Sequence, residues 1–242
     1  MSAPQRLLTT AIKQEGLGQI GAAEKTYVAL SREYAGSDEA AEALFRIAKL
    51  QQYDQRDVRK ALLSYLQLEN DYPQSRLLLA AREESARIVK FSLRDYSQAI
   101  GYYQRLITFG KGSIDQYLYE VADCYFRLEN YPQARVELET LIEEYPESSL
   151  VADALFRMGG LLVLENRIEE ARQSWVRLVE LYPDSSYRPQ AEFNLAKLLE
   201  EQDRLVEALD KYRQLDNFPR PGMLQEKIEH LEKRIAAKKK AI

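Results

Sequence analysis

A set of three apolar side chains recurs six times along the chain: an alanine, an aromatic residue or leucine four positions later, and a leucine seven positions after the alanine. Spacings of four and three place these side chains on one face of an α-helix. Successive alanines are 38, 38, 35, 37 and 37 residues apart, and a period of this length indicates an array of helical repeats. The six sets are Ala23-Tyr27-Leu30, Ala61-Tyr65-Leu68, Ala99-Tyr103-Leu106, Ala134-Leu138-Leu141, Ala171-Trp175-Leu178 and Ala208-Tyr212-Leu215.

The segment 115–148 shows how one repeat is built. Ala122 and Ala134 are small residues on two successive helical patterns, which predict a helix A and a helix B of about 14 residues each. A turn at Glu129-Asn130 joins the two helices. The small side chains allow the helices to approach closely, so we expect the recurring alanines to lie at the contact between them.

A Tyr-Pro-x-Ser sequence separates most of the repeats. Proline cannot continue the hydrogen-bond ladder of a helix, and the serine that follows is a good N-cap for the next helix. Phe218-Pro219 is a variant of this junction, and 34–37 lacks the proline. The full junctions lie at 72–75, 145–148 and 182–185.

The small residues and the closing proline resemble the tetratricopeptide repeat family, in which a helix-turn-helix unit recurs. Two repeats match this pattern without gaps, through Ala122, Ala134 and Pro146 and through Gly159, Ala171 and Pro183. The resemblance implies an all-α fold, a right-handed α-solenoid of six helix-turn-helix repeats with a C-terminal capping helix. The repeats are predicted at 4–37, 38–76, 77–113, 114–149, 150–186 and 187–222, within a domain of residues 1–222, and the capping helix and basic tail at 223–242.

Repeat three departs most from this pattern. A count without gaps places Arg87 and Lys90 in its helix A where a small and a bulky apolar residue are expected. Its exit, residues 109–113, contains two glycines instead of the proline. Glycine removes backbone restraint, so we expect a looser junction here that forms a bend or hinge between repeats three and four.

The last segment, 223–242, carries apolar residues at helical spacing. One apolar stripe suits a helix that covers the last repeat, because a repeat array needs a polar end. A dimerising coiled coil is the alternative, but the pattern is shorter than the three to four heptads that such a structure needs. We therefore expect a monomer rather than a homodimer. Lys238, Lys239 and Lys240 form a solvated basic end.

Composition narrows the class of protein. Hydrophobic residues make up 45% and charged residues 30%, as in folded domains. The formal charge of −4 disfavours nucleic acid as a partner, and no window of the sequence is apolar for long enough to span a bilayer. The segment 1–15 does not resemble a secretory leader. If Met1 is the native start, a cytoplasmic location is expected; if a leader was removed, a periplasmic or outer-membrane-associated one is.

Residue types that often form enzyme sites occur in this sequence, but not in the motifs that catalysis requires. Lys111 follows Gly110 but lacks the other residues of a phosphate loop. His230 has no second metal ligand nearby, and Cys124 lies in an apolar helical pattern, where we expect it to be buried. Adjacent carboxylates such as Glu200-Glu201 are expected on a solvated face. We predict that the protein is not an enzyme and uses no metal or cofactor.

The resemblance implies a groove lined by the A helices, where a protein or peptide ligand binds. Aromatic residues there would supply apolar anchors, and arginines would bind acidic groups of the ligand. The aromatic residues have an alternative role, which is to pack between adjacent repeats. The chaperone-tail type of ligand is not expected, since no repeat has its lysine and asparagine pair. The candidates are Phe45, Arg46, Lys49, Tyr119, Asp123, Phe126, Arg127, Phe156, Arg157, Phe193, Asn194 and Lys197.

The sequence therefore predicts a non-enzymatic scaffold or adaptor that binds a protein or peptide partner. A weaker resemblance, through the long period and the Tyr-Pro-x-Ser junctions, is to bacterial envelope arrays such as the Tol-Pal coordinator protein and the D lipoprotein of the β-barrel assembly machinery. It offers an alternative role in cell-envelope assembly. A nucleic-acid-linked regulator would need a basic stripe that the groove candidates do not supply, and an enzyme with an unrecognised site is the remaining alternative.

Overall fold

The computed structural model describes residues 1–215 and 217–240, and within them every regular element is a helix. This result confirms the predicted all-α repeat fold. Asp216 of the predicted sixth repeat, and the last two residues of the predicted tail, lie outside the described residues. The chain divides into two compact units, of which the first ends at Leu128 and the second begins at Glu129.

The first unit contains seven α-helices, in which A and B helices alternate and consecutive helices pack against each other. A π turn follows the third helix at Leu50–Asp54, and another follows the fifth at Ile88–Ser92. The helices are α1 (Ala3–Gly16), α2 (Ile20–Glu33), α3 (Asp38–Lys49), α4 (Val58–Asp71), α5 (Leu78–Arg87), α6 (Tyr96–Phe109) and α7 (Ile114–Arg127).

The second unit continues the alternation. Its first helix is of type B, two A and B pairs follow, and a longer helix ends the described chain. The helices are α8 (Tyr131–Glu144), α9 (Val151–Leu164), α10 (Ile168–Leu181), α11 (Arg188–Glu201), α12 (Leu205–Arg213) and α13 (Pro221–Lys240).

The recurring alanine, aromatic and leucine set forms the core of every B helix. All of its members are buried except Leu215, which is half-buried. The core clusters of the first unit also extend to the next A helix; for example, Tyr27 of α2 clusters with Ala43 and Ile47 of α3. Burial of a large side chain contributes roughly 1.5 to 3 kcal/mol, so this set joins successive repeats as well as the two helices of one repeat.

The junction serines have a role slightly different from the predicted one. Ser75, Ser148 and Ser185 each accept a hydrogen bond from the backbone N–H two residues later, at 3.1 to 3.2 Å. The next helix begins three residues after each serine. The serine therefore orders the turn that leads into helix A and does not cap the helix itself.

The π turns overturn the predicted register of repeat three. In that repeat Ala86 and Val89 are fully buried, whereas Arg87 is exposed, so the small and bulky positions lie one residue earlier than the count without gaps had placed them. The backbone N–H of Leu93 bonds to the carbonyl of Ile88, five residues back. This wider turn accommodates one inserted residue.

The glycine junction of repeat three is closely packed, so the predicted looseness is not present in its contacts. Gly112 has a φ of 84°, and a Cβ atom at this residue would lie 2.1 Å from the hydroxyl oxygen of Tyr117. That hydroxyl donates to Glu83 of α5, and the guanidinium of Arg82 lies 4.6 Å from the ring centroid of Phe109. The glycine is needed for this close approach as well as for its backbone conformation.

The C-terminal helix α13 covers the last repeat, as predicted for a capping helix. Leu231 is fully buried and clusters with Leu209 and Tyr212 of α12. The half-buried Ile228 and Ile235 extend the same contact. The exposed residues of α13 are largely polar, which suits the end of a repeat array.

Gly159 allows a close contact between the two helices of repeat five. The indole of Trp175 lies against it, and a Cβ atom at this position would be 2.3 Å from the Nε1 atom of the ring. The same Nε1 donates to the carbonyl oxygen of Phe156 at 3.1 Å. This hydrogen bond holds the ring in place, so the ring cannot easily move away from an added methyl group.

We predict that Gly159→Ala destabilises the protein by about 2 kcal/mol, because the added methyl group overpacks the contact with Trp175. The matched control is Gly160→Ala, where no atom lies within 4 Å of the added Cβ. Alanine at that helical position should be neutral or stabilise by about 1 kcal/mol. Urea unfolding curves of both variants test this expectation, and equal midpoints would contradict it.

Candidate functional site

The predicted binding residues all lie on A helices, in four groups. In the first unit, α3 carries three of them and α7 carries four. In the second unit, α9 carries two and α11 carries three. They are Phe45, Arg46 and Lys49; Tyr119, Asp123, Phe126 and Arg127; Phe156 and Arg157; and Phe193, Asn194 and Lys197.

Three of the predicted aromatic anchors pack between helices. The Phe45 ring meets Tyr65 edge-on, with centroids 5.5 Å apart. Phe156 stacks on Tyr187 at 5.3 Å. Each ring is half-buried, so the packing role accounts for much of its surface.

Phe193 is held in the same way. Its ring lies between Tyr212, at 5.1 Å, and Phe218, at 4.8 Å, and it contacts the core cluster of the last repeat. By contrast, Phe126 of α7 is exposed. The half-buried aromatic residues therefore expose only part of their side chains to a ligand, whereas Phe126 exposes a larger part.

Arg46 links repeat two to repeat one. Its Nη1 atom lies 3.1 Å from Oε2 of Glu15, and its Nε atom lies 3.2 Å from Oε1 of Glu42. The hydroxyl of Tyr27 donates to the same Glu15 carboxylate at 2.6 Å. Burial and this hydrogen bond raise the pKa of Tyr27 above its usual range. Arg46 thus closes a polar contact between repeats and is only partly available to a ligand.

The same relay occurs between repeats two and three. The hydroxyl of Tyr65 donates to Oε1 of Gln52 at 3.0 Å, and Nε2 of Gln52 donates to Glu84 at 3.0 Å. In each case a tyrosine of helix B bonds to a polar residue near the end of helix A. That residue then reaches the next repeat.

Glu200 performs this role at the end of the array, which corrects the prediction that it is a surface charge. It is buried and accepts a hydrogen bond from the hydroxyl of Tyr212 at 3.5 Å. Lys227 of α13 lies 2.8 Å from its carboxylate, and Arg234 also pairs with it. A buried carboxylate needs such partners, so Glu200 anchors the capping helix.

Asp123 binds a buried lysine. Lys90 is only 2% exposed, and its Nζ atom lies 2.7 Å from Oδ2 of Asp123 and also pairs with Glu120. Arg127 contacts the same Asp123 oxygen at 2.8 Å. Burial alone would raise the pKa of Asp123, but hydrogen bonds from Lys90 and Arg127 outweigh it and hold the pKa below its usual value. Asp123 is therefore a structural partner of Lys90.

Cys124 is fully buried, which confirms the prediction from its apolar pattern. Burial raises the pKa of its thiol to about 11. A thiol in that state is a poor nucleophile at neutral pH. His230 is exposed on α13, and the described residues contain no group of three or more potential metal ligands from histidine, cysteine and carboxylates.

The sequence count missed two exposed aromatic residues, Tyr53 and Phe91, which are 54% and 56% exposed. Each lies in a π turn and follows an exposed cation by four positions: Lys49 in repeat two and Arg87 in repeat three. The spacing of the alanines does indicate an inserted residue in each of these two repeats. The alanines of helices A and B are 13 residues apart in these two repeats, at Ala48-Ala61 and Ala86-Ala99, but 12 apart in repeats one and six.

Three segments of the chain, residues 42–75, 116–148 and 153–185, match the sequence model of the tetratricopeptide repeat. The chain is a tetratricopeptide repeat protein. No curated protein matches its sequence significantly. The weaker resemblance to the Tol-Pal coordinator protein and to the D lipoprotein is not confirmed.

Solved tetratricopeptide repeat structures resemble this fold. The C-terminal part of a repeat protein from Cytophaga hutchinsonii has a TM-score of 0.66 at 12% identity, with 91% of this chain and 86% of that chain covered. A protein from Parabacteroides merdae scores 0.57 at 17%, with 95% and 86% covered. YrrB, described as having an unusual peptide-binding site, scores 0.57 at 18%, with 80% and 92% covered.

The tetratricopeptide repeat fold supports protein–protein interaction in general, with proteins or peptides as partners. Proteins of this kind are generally non-enzymatic interaction modules. Among the described helices, none combines the length and the apolar character that a membrane span requires.

We predict that Lys90→Met destabilises the protein by about 3 to 5 kcal/mol at neutral pH, because Glu120 and Asp123 lose their buried cation. The lowered pKa of Asp123 contributes stability at pH values above the pKa of an unfolded aspartate, about 3.9. This contribution is lost as the pH falls through the pKa of Asp123 in the folded protein. The deficit of the variant should therefore shrink in acid.

Urea unfolding at a series of pH values measures this difference. Lys49→Met is the matched control, because it removes an exposed lysine from the preceding A helix. Equal stability of the two variants at neutral pH would show that the buried ion pair does not contribute as described.

Proposed function

We propose that this tetratricopeptide repeat protein is a non-enzymatic scaffold or adaptor that binds a protein or peptide partner along its A helices. The B helices are occupied by the core, since every member of their recurring alanine, aromatic and leucine set is buried except the half-buried Leu215. The A helices also retain exposed cations in both units, including Lys49, Arg127, Arg157 and Lys197. The resemblance to the family implies that this face of the repeats lines the groove, which supports the proposal.

The observation that carries the proposal is the geometry of the ion pairs on the A helices. In the pair of Arg127 with Asp123, the arginine side chain is 47% exposed and the carboxylate 11%. Arg157 is likewise more exposed than its partner Asp153. A guanidinium that is held by a carboxylate beneath it keeps donors directed toward solvent, where a partner's acceptors can reach them.

The aromatic residues that pack between helices support the same proposal. Phe45, Phe156 and Phe193 hold their A helices against neighbouring aromatic residues and leave part of each side chain exposed. A surface whose side chains are held in this way loses little conformational freedom when it binds. The peptide-binding site described for YrrB is a precedent on the same fold.

We predict that reversing three A-helix charges, with Lys49→Glu, Arg157→Glu and Lys197→Glu together, lowers partner capture about tenfold or more. The immobilised full chain would be exposed to an extract of the native cells, crosslinked, and the retained proteins quantified by mass spectrometry. The chosen residues are exposed, so circular dichroism of the variant should match that of the original protein.

The matched control makes the same charge changes on B helices, at Lys25, Arg177 and Lys211, which are all exposed. Its retained proteins should be those of the unmodified chain. Equal capture by the two triple variants would refute the assignment of binding to the A helices.

A further inference from the structure

Four exposed residues of repeats two and three form a single surface in the first unit, which we call the cation–aromatic surface: Lys49, Tyr53, Arg87 and Phe91. Each cation precedes its aromatic residue by four positions, so the two lie on the same side of the helix. The π turn gives each A helix one additional residue at this point. In both repeats the exposed aromatic ring therefore lies about one helical turn after the cation.

Contacts through Glu84 show that the two halves of this surface are continuous. The hydroxyl of Tyr53 donates to Oε2 of Glu84 at 3.3 Å. Nη1 of Arg87 lies 3.3 Å from Oε1 of the same carboxylate. The ring of repeat two and the guanidinium of repeat three thus share one bridging residue.

The cations of this surface are more exposed than Glu84, the carboxylate that bridges its two halves. The side chain of Arg87 is 61% exposed, whereas that of Glu84 is 18% exposed. Lys49 is exposed as well, and the described residues include no ion pair for it. Acidic groups on a partner would meet these two cations first, and opposite charges attract most where solvent screening is reduced by binding.

A surface pocket of about 430 Å³ lies beside the second cation and aromatic pair, and Arg87 and Phe91 line it together with Tyr103, Gln116 and Tyr117. This volume is in the range of small-ligand pockets. Two carboxylates at the pocket already have partners. Glu83 accepts from Tyr117, and Glu120 pairs with Lys90 and accepts from Gln116 at 2.7 Å.

We infer that the cation–aromatic surface selects a peptide in which acidic residues flank an aromatic side chain. This inference rests on the proposed function and specifies its partner. The carboxylates of the peptide bind Lys49 and Arg87, and the aromatic side chain enters the pocket against Phe91. Ring-on-ring contact and charge-assisted hydrogen bonds are the interactions that dominate such interfaces.

The test uses the immobilised full chain and a phage-displayed library of random dodecapeptides. Enriched peptides should carry aspartate or glutamate next to phenylalanine, tyrosine or tryptophan. A fluorescein-labelled peptide of the enriched sequence is then titrated with the full chain, and binding is followed by fluorescence anisotropy. Binding should weaken as the salt concentration rises.

The double variant Arg87→Ala, Phe91→Ala should bind the labelled peptide at least about tenfold more weakly. Both residues are exposed, so the fold should be retained, as unfolding curves would verify. The matched control is Lys60→Ala, Leu63→Ala, which removes an exposed cation and an exposed apolar side chain from helix α4. This control should bind as the original protein does.

Enrichment of basic or uncharged peptides would overturn the inference, as would equal binding by the two double variants. If the enriched basic or uncharged peptides still lose binding when Lys49, Arg157 and Lys197 are changed to glutamate, the proposed function stands. Only the partner class inferred here is then wrong. A library that yields no peptide sensitive to any of these A-helix changes would count against both.

Discussion

The close approach of helices A and B at paired small residues is the constraint on which the rest of each repeat depends. Pairs such as Ala11 with Ala23 are fully buried, so the backbones come together and the aromatic side chain one turn later crosses to helix A. When that side chain is tyrosine, its hydroxyl arrives in a buried place and needs a partner. Glu15 and Gln52 near the ends of the A helices supply it.

This requirement explains why the aromatic position varies among repeats. Repeats one, two, three and six carry tyrosine there, and in repeats one, two and six its polar partner lies 12 or 13 residues earlier. Repeat five has Trp175, whose N–H is satisfied by a backbone carbonyl, and the corresponding residue of its helix A is the apolar Val163. The polar partner also contacts the next repeat, as Glu15 does with Arg46. One buried hydroxyl thereby helps to set the contact between neighbouring repeats.

Much of the fold could be predicted because helical periodicity is a local property of the sequence. The core of the B helices, the proline junctions and the capping role of α13 all follow from spacings of three and four residues and from single stop signals. The inserted residue before Ala99 shifts the register inside a helix that remains apolar on one side, so a count without gaps still gave a plausible pattern. The burial of Lys90 and Glu200 depends on partners about 30 residues away, which periodicity does not identify. Tyr53 and Phe91 were missed because each lies in a π turn that a count without gaps does not include. The structural role of Asp123 was missed because its partner, Lys90, is distant in the sequence.

The charge that a ligand meets on the A helices differs from the charge that the sequence reports. The formal charge of the chain is −4, yet in the ion pairs of Arg87 and Arg127 the carboxylate lies beneath the cation. A short acidic side chain stays close to its own helix, whereas a long arginine side chain extends over it and keeps its charged end in water. In these two pairs the cation is therefore the charge that a ligand meets first, although the protein as a whole is acidic. Net charge therefore determines solubility and long-range attraction. The exposure of each side chain in an ion pair determines which charge a ligand contacts.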